Sequence, residues 1–240
     1  WEVMGIEFVE RPATKKSLSR RRLVYGVGIN DAAYLLSYKV GEVLVTCPYY
    51  SRWVSMLARC YSKPLQKVQP RYKGSSVAGE WLLFSTFKCW MEQQDWENKA
   101  LDKDILVAGN SVYSQDTCIF VSQALNNLLS DRAWCRGSLP QGVTLHKRDK
   151  RYRAQCNMGG GRVFLGSFTD SNSASVLYCL VKSSRIDYVA RQEEASCQPE
   201  LQEALFARAR HFRNEAEEGM SNLAIEEFDK IMIMSKDWEV

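Results

Sequence analysis

Hydrophobic positions along this chain follow two different periods, and the change between them divides it. Between residues 49 and 61, Trp53, Met56, Leu57, Cys60 and Tyr61 fall at i, i+3, i+4, i+7 and i+8, with Arg52 and Arg59 off that line. This is the single apolar stripe of a core-facing helix, and Pro48 closes the segment before it. Residues 77–90 carry Trp81, Leu82, Phe84, Phe87 and Trp90, which predicts a second apolar helix or a strand running into one. Residues 101–106 alternate and predict a short strand. Gly109-Asn110 signals a turn, and Val112-Tyr113 and residues 118–121 predict further extended chain. Ser122 is placed to cap a helix reaching residue 129.

Beyond Gly137 and Pro140 the pattern changes to three β-segments, residues 142–146, 151–157 and 162–168. The turns joining them are residues 147–150 and the Gly-rich 158–161. A helix over 172–192 follows, with Ala174, Leu177, Tyr178, Val181 and Ile186 on its apolar side. The remaining segment predicts charged helix, with Leu223, Phe228, Ile231 and Met232 as a docking stripe. At the other end, residues 1–22 predict a mobile basic arm and residues 23–45 short strands and turns. Gly26 and Gly28 have neither a GxGxxG continuation nor a strand–helix frame, which excludes a dinucleotide loop.

Composition adds little until it is resolved along the chain. The 240 residues are 45% hydrophobic and 25% charged with a net charge of +4, ordinary for a soluble globular protein. Between Arg136 and Arg162, however, seven basic residues face one acid, Asp149, a local charge of +6. From Glu193 onward twelve acids face five basic residues, a local charge of −7. That asymmetry predicts a basic working surface and an acidic tail. Eight cysteines lack CxxC spacing, and the N-terminal residues are polar and then basic without an apolar leader, so reduced thiols in a cytoplasm are expected. Cys60, Cys118, Cys156 and Cys179 sit in apolar patterns as small core residues. No run approaches the roughly 18 apolar residues of a membrane span.

Two constellations could carry chemistry. Asp102 and Asp104 stand two apart on the expected strand, so their carboxylates would share one face. Such a pair can hold a divalent cation for phosphodiester chemistry, or it can be a solvated strand end beside Lys103. The run Trp53-Val54-Ser55-Met56-Leu57-Ala58-Arg59-Cys60-Tyr61, the pieces Tyr72-Lys73-Gly74 and Glu80-Trp81, residues 101–106, and Gly109-Asn110-Ser111-Val112-Tyr113-Ser114 leading to Thr117-Cys118-Ile119-Phe120-Val121 resemble a phage HNH-type, homing-endonuclease-like family. The likeness spans residues 49–130. It implies a ββα-metal core using Mg2+ or Mn2+. Asp102 or Asp104 falls at the acid/base strand, Asn110 at the loop asparagine and Asn126 at the helix ligand, with Asn127 as a weaker substitute. Asp104 stands where such enzymes have a general-base histidine, and the chain's histidines are His146 and His211. A carboxylate there could hold metal or accept a proton from water.

The second constellation is the basic β-region. Gly142-Val143, His146-Lys147-Arg148, Tyr152-Arg153-Ala154-Gln155-Cys156 and Arg162-Val163-Phe164-Leu165-Gly166-Ser167-Phe168 with the following helix resemble the plant Apetala-two DNA-binding domain, over residues 138–190. That resemblance implies a three-stranded sheet lying in the major groove with a helix behind it. Alternation supports this independently, because basic residues on one face can reach phosphates and guanine edges while Val143, Ala154, Cys156 and Phe164 pack on the helix. Lys147, Arg148, Arg151, Arg153, Gln155 and Arg162 are the expected DNA-binding residues, with Tyr152 as a polar supplement. Arg20-Arg21-Arg22 is either a groove or phosphate arm or a solvated charge run.

The resulting expectation is an α+β chain in four segments. They are a basic arm with short strands (1–48), an HNH-like nuclease core (49–135), an Apetala-two-like domain of three antiparallel strands on one helix (136–192) and an acidic helical tail (193–240). Its expected activity is metal-dependent cleavage of double-stranded DNA in the cytoplasm of an infected bacterial host. The metal would be held by Asp102, Asp104 and Asn126. Alternatives are a non-catalytic DNA-binding regulator on a degenerate nuclease core, or a phage protein that contacts a host protein, or itself, through the tail. No membrane role is expected.

Overall fold

The computed structural model of the protein describes residues 7–131, 137–158, 160–223 and 225–236. Cys135 and Arg136, counted above, lie outside them, as does the expected boundary at 135/136. The chain is mixed α+β and forms two compact units, one running to Asp104 and including Ala108–Phe120, the other comprising Ile105–Val107 and the chain from Val121 onward. No helix among the described residues is long and apolar enough to cross a membrane.

The first unit begins with α1 (Lys15–Ser19), capped by the Thr14 hydroxyl, and a hairpin of β1 (Ser37–Val40) and β2 (Val43–Thr46). Helices α2 (Pro48–Tyr61) and α3 (Lys63–Val68) follow. The stripe expected on α2 is buried: Trp53, Met56, Leu57 and Cys60 enter the core, and the Trp53 indole N–H donates to the Trp81 carbonyl at 2.7 Å. Gly28 is needed beside them, since a Cβ there would lie 2.4 Å from Leu57 Cδ1. Of the two forms expected for residues 77–90, a helix or a strand running into one, the second is found: β3 (Ser76–Val77), a 3-10 turn Gly79–Leu82, then α4 (Phe84–Met91). Trp81, Phe84 and Phe87 are buried anchors of the core. Beyond α4 come β4 (Lys99–Asp102), β5 (Val112–Tyr113) and β6 (Ile119–Ser122), with β3 paired parallel to β5 and β4 hydrogen-bonded to β6.

Two expectations are corrected in this unit. From Glu7 on, the basic arm is packed rather than mobile. Backbone bonds join Ala13 to Ala33 and Leu35 to Arg11, and the Arg21 guanidinium donates to the carbonyls of Asn30, Ala32 and Tyr34. Arg21 is therefore committed to backbone capping, while Arg20 and Arg22 remain exposed. The strand expected over 101–106 ends at Asp102, so Asp104 lies in bends beyond it.

The second unit starts with α5 (Gln123–Leu129), whose N-cap Ser122 accepts from the Leu125 N–H at 3.1 Å. Strands β7 (Val143–His146), β8 (Arg151–Asn157) and β9 (Arg162–Phe168) form one antiparallel sheet in the order β7-β8-β9. Helix α6 (Ser171–Ala190) packs on that sheet, capped by Asp170, which accepts from the Ser173 N–H at 2.8 Å. It is followed by α7 (Glu193–Ser196), α8 (Pro199–Met220) and α9 (Ile225–Lys236).

The acidic segment is part of this unit's core. Leu201, Leu205, Ala209 and Ala216 of α8 are buried, Ser183 of α6 donates to the Ala209 carbonyl at 3.0 Å, and Asn172 donates to the Gly219 carbonyl at 3.0 Å. Ile231 of α9 is fully buried, and Met234 packs against the same cluster. Because α6 has the sheet on one side and α8 on another, Ser173, Lys182 and Ser183 are buried along with its apolar residues. A helix covered on more than one face loses the one-sided pattern that a surface helix shows.

Candidate nucleic-acid interface

The register of the sheet decides which side chains face outward. Strand β8 pairs Tyr152 with Phe168, Arg153 with Ser167 and Ala154 with Gly166, then skips Leu165 and pairs Gln155 with Phe164, Cys156 with Val163 and Asn157 with Arg162. Strand β7 pairs Thr144 with Arg153 and His146 with Arg151. Alternation then puts Val143, Ala154, Cys156 and Phe168, all buried, on the α6 side. The opposite face carries Arg151, Arg153 and Arg162 with Gln155, Asn157, Thr144, His146 and Phe164. Four of the six expected DNA-binding residues are thus brought together on one side. The other two, Lys147 and Arg148, are exposed in the turn between β7 and β8.

Two assignments from pattern are corrected by this register. Phe164 does not pack on α6; it is 52% exposed among the arginines. Tyr152 is not an outward polar supplement, since it pairs with Phe168 and packs against the core. The cause is the β-bulge at Leu165, which adds one residue to β9 and moves every residue before it to the other face. Gly166, isolated inside a strand, was the one sequence signal that could have revealed it. A Cβ at Gly166 would lie 2.5 Å from Met234 Cε, so the position is also closed to side chains from the core side.

The outward cations are held to different degrees. Arg151 donates from Nε to Ser167 Oγ at 3.2 Å and from Nη2 to the Ser167 carbonyl at 2.8 Å, which fixes its direction across β9. Asp149 sits between His146 Nδ1 at 2.8 Å and Arg153 Nη2 at 3.3 Å. Such exposed pairs are worth little energetically, so Asp149 aligns Arg153 without removing it from use.

In the first unit, Asp102, Asp104 and Asn110 do meet, but through contacts within the chain. The Asp104 N–H donates to Asp102 Oδ1 at 2.8 Å, the geometry of an Asx turn rather than of alternating strand neighbours. Lys103 Nζ contacts Asp104 Oδ2 at 3.1 Å and the Asn110 carbonyl at 2.9 Å. The Asn110 side chain donates to the carbonyls of Lys103 at 2.6 Å and Val112 at 2.7 Å, and accepts from the Val112 N–H at 3.1 Å. It thereby closes the loop between β4 and β5. Close by, Arg59 donates to the Leu101 carbonyl and to the Tyr113 hydroxyl. Burial pushes the Tyr113 phenol well above its ordinary value, against the opposing pull of Arg59.

Asn126 belongs to the second unit, half-buried on α5, where its carbonyl accepts from Ser130. Among the described residues, no group of three or more His, Cys, Asp and Glu side chains is gathered as a metal site. Comparison of the chain with protein-family models, curated proteins and solved structures finds no match.

Proposed function

We propose that this protein binds double-stranded DNA through the outer face of the β7-β8-β9 sheet, in the manner of the Apetala-two domain its sequence resembles. The observation that carries the reading is the register. It collects Arg151, Arg153, Arg162 and Gln155 on the face opposite the one that packs on α6, with Lys147 and Arg148 at its end. Arginine can form bidentate contacts to guanine in the major groove, and the remaining cations neutralise phosphates. Phe164 adds an exposed ring suited to a thymine methyl or sugar.

The test is fluorescence anisotropy of the full chain on duplex oligonucleotides over a range of salt. Salt-sensitive binding that is lost in the Arg153→Ala/Arg162→Ala double variant supports the reading. Binding that survives this change unaltered removes the sheet from the account.

On this base we further propose that the first unit serves an HNH-type DNA endonuclease. Asp102 and Asp104 supply hard oxygen donors of the kind Mg2+ or Mn2+ takes. Such a cation would neutralise charge on the phosphate being cleaved. Asn110 would hold the loop that carries the carboxylates. A second reading, duplex binding without cleavage, is favoured by one contact: Lys103 already places a cation on Asp104 Oδ2. Incubating supercoiled plasmid with the protein and Mg2+ or Mn2+ separates the two. Nicking that disappears in Asp104→Ala while duplex binding persists supports the enzyme, and intact plasmid under all conditions leaves the regulator.

A further inference from the structure

Two arginines of α2 are only partly used by the fold. The apolar stripe of that helix puts Trp53, Met56, Leu57 and Cys60 into the core, and Arg52 and Arg59 run beside it. Seven residues make about two helical turns, so both arginines lie along one edge, with Cα atoms roughly 10 Å apart. Arg59 is anchored through Nη1 alone, which donates to the Leu101 carbonyl at 3.3 Å and to the Tyr113 hydroxyl at 3.5 Å. Its Nε and Nη2 have no hydrogen-bond partner among the described residues. The Arg52 guanidinium has neither a hydrogen bond nor an ion pair among them.

Both side chains are half-buried, and a guanidinium stays charged at any working pH. Asp102 acts on Arg59, but no carboxylate among the described residues acts on Arg52. Burial, and then Arg59 itself, hold the Arg52 pKa below its ordinary value. Like charges withdrawn from water stay costly until an anion is brought to them. The row of cations continues past Arg59. The Tyr72 ring centroid lies 5.5 Å from Arg59 Cζ and 4.8 Å from Cζ of the exposed Arg71. Guanidinium forks take phosphate oxygens two at a time, and cations spaced along an edge match the repeated charge of a polynucleotide strand.

We infer that Arg52 and Arg59, continued by Arg71, hold backbone phosphates of a DNA strand and form a second DNA contact, on the first unit. This rests on the reading that the protein binds duplex DNA, and it adds a site that the sheet does not contain. Arg59 is tied to Leu101, the neighbour of Asp102, so a strand on this edge runs beside the carboxylate loop.

The test compares Arg52→Gln with Lys39→Gln, which removes an exposed charge from β1 of the same unit. Anisotropy of the full chain on a duplex oligonucleotide is read in EDTA over a range of salt, with a melting temperature for each variant. Arg52→Gln is expected to lower the logarithmic salt slope by about 0.9, close to an eightfold loss of affinity at about 0.1 M salt. It should melt at or above the parent temperature, because it removes an unpaired charge beside Arg59. Lys39→Gln should leave binding unchanged. Arg59→Lys keeps the charge but not the fork, so it should weaken binding with little change of slope. The inference is overturned if Arg52→Gln binds like the parent, if it melts lower, or if Lys39→Gln weakens binding as much. It is also overturned if calorimetry shows inorganic phosphate saturating the parent protein and not Arg52→Gln, the mark of a free-anion site. Binding weakened in Arg52→Gln but unaltered in Arg153→Ala/Arg162→Ala would sink the sheet and keep this edge, and the reverse pattern would sink this edge and keep the sheet.

Discussion

Gln155 of β8 faces Phe164 of β9, one residue out of step with the neighbouring pair of Ala154 and Gly166. Leu165, the residue left over, is buried, and from that point the side chains of β9 exchange faces. The composition of the candidate DNA surface follows from this slip.

The slip makes a direct prediction for Phe164→Ala. An outward Phe164 should cost about 0.5 kcal/mol or less on removal, as surface substitutions do. A core phenylalanine would cost about 3–5 kcal/mol. Denaturant unfolding should therefore show near-native stability for this variant, with weakened duplex binding in the same preparation. Phe168→Ala, from the buried face of the same strand, should show the large loss.

Arg151 and Lys147 should separate structural from electrostatic roles. Arg151→Ala removes two hydrogen bonds to Ser167 and should lower stability by about 0.5–1.5 kcal/mol per bond lost. Lys147, exposed in the turn, should leave stability unchanged when replaced by alanine. If it meets a phosphate, its loss should reduce the logarithmic salt slope of binding by about 0.9. Thermal melts and salt titrations of both variants check the distinction.

Gly142→Ala should destabilise the second unit. Its φ is +75°, and a Cβ would lie 2.1 Å from the Tyr178 ring, which is itself buried against α8. Left-handed backbone strain costs about 1–3 kcal/mol, and displacing a packed ring adds to it. A melting temperature equal to that of the parent protein would contradict this packing.

Alkaline pH should weaken the fold through its buried thiols. Burial pushes Cys60 up to about 11 and both Cys118 and Cys179 up to about 12, the last also through the nearby Glu215 carboxylate. Each of these groups has a folded value above its unfolded one, about 8.5. The stability they contribute is therefore complete below that unfolded value and is lost as pH rises toward 11–12. Denaturant midpoints measured upward from pH 8 should fall, and substituting Cys118 by alanine should flatten the fall. At neutral pH, mass-mapped alkylation should label the exposed Cys89 and Cys197 before these three.

Much of the local structure was legible in the residues. The α2 stripe, the Ser122 cap and the three β-segments of the second unit emerge where periodicity and turn residues place them, because each depends on neighbours within one or two turns of chain. The carboxylate loop was less legible. Asp102 and Asp104 have strand spacing, yet the Asp102 side chain captures the Asp104 N–H and ends the strand. Asx residues compete with the ladder in this way, and alternation carries no trace of the outcome.

A basic, β-rich stretch ahead of an apolar helix and an acidic helical segment can be read from the residues alone, since charge and hydrophobic period are properties of the chain. Folding in three dimensions is what closes the acidic helices over α6, commits Arg21 to three carbonyls, and sets Phe164 among the arginines on the outer face of the sheet. Those outcomes depend on strand register and on which surfaces meet. Both are set by contacts between residues far apart in the chain, where local pattern has no reach.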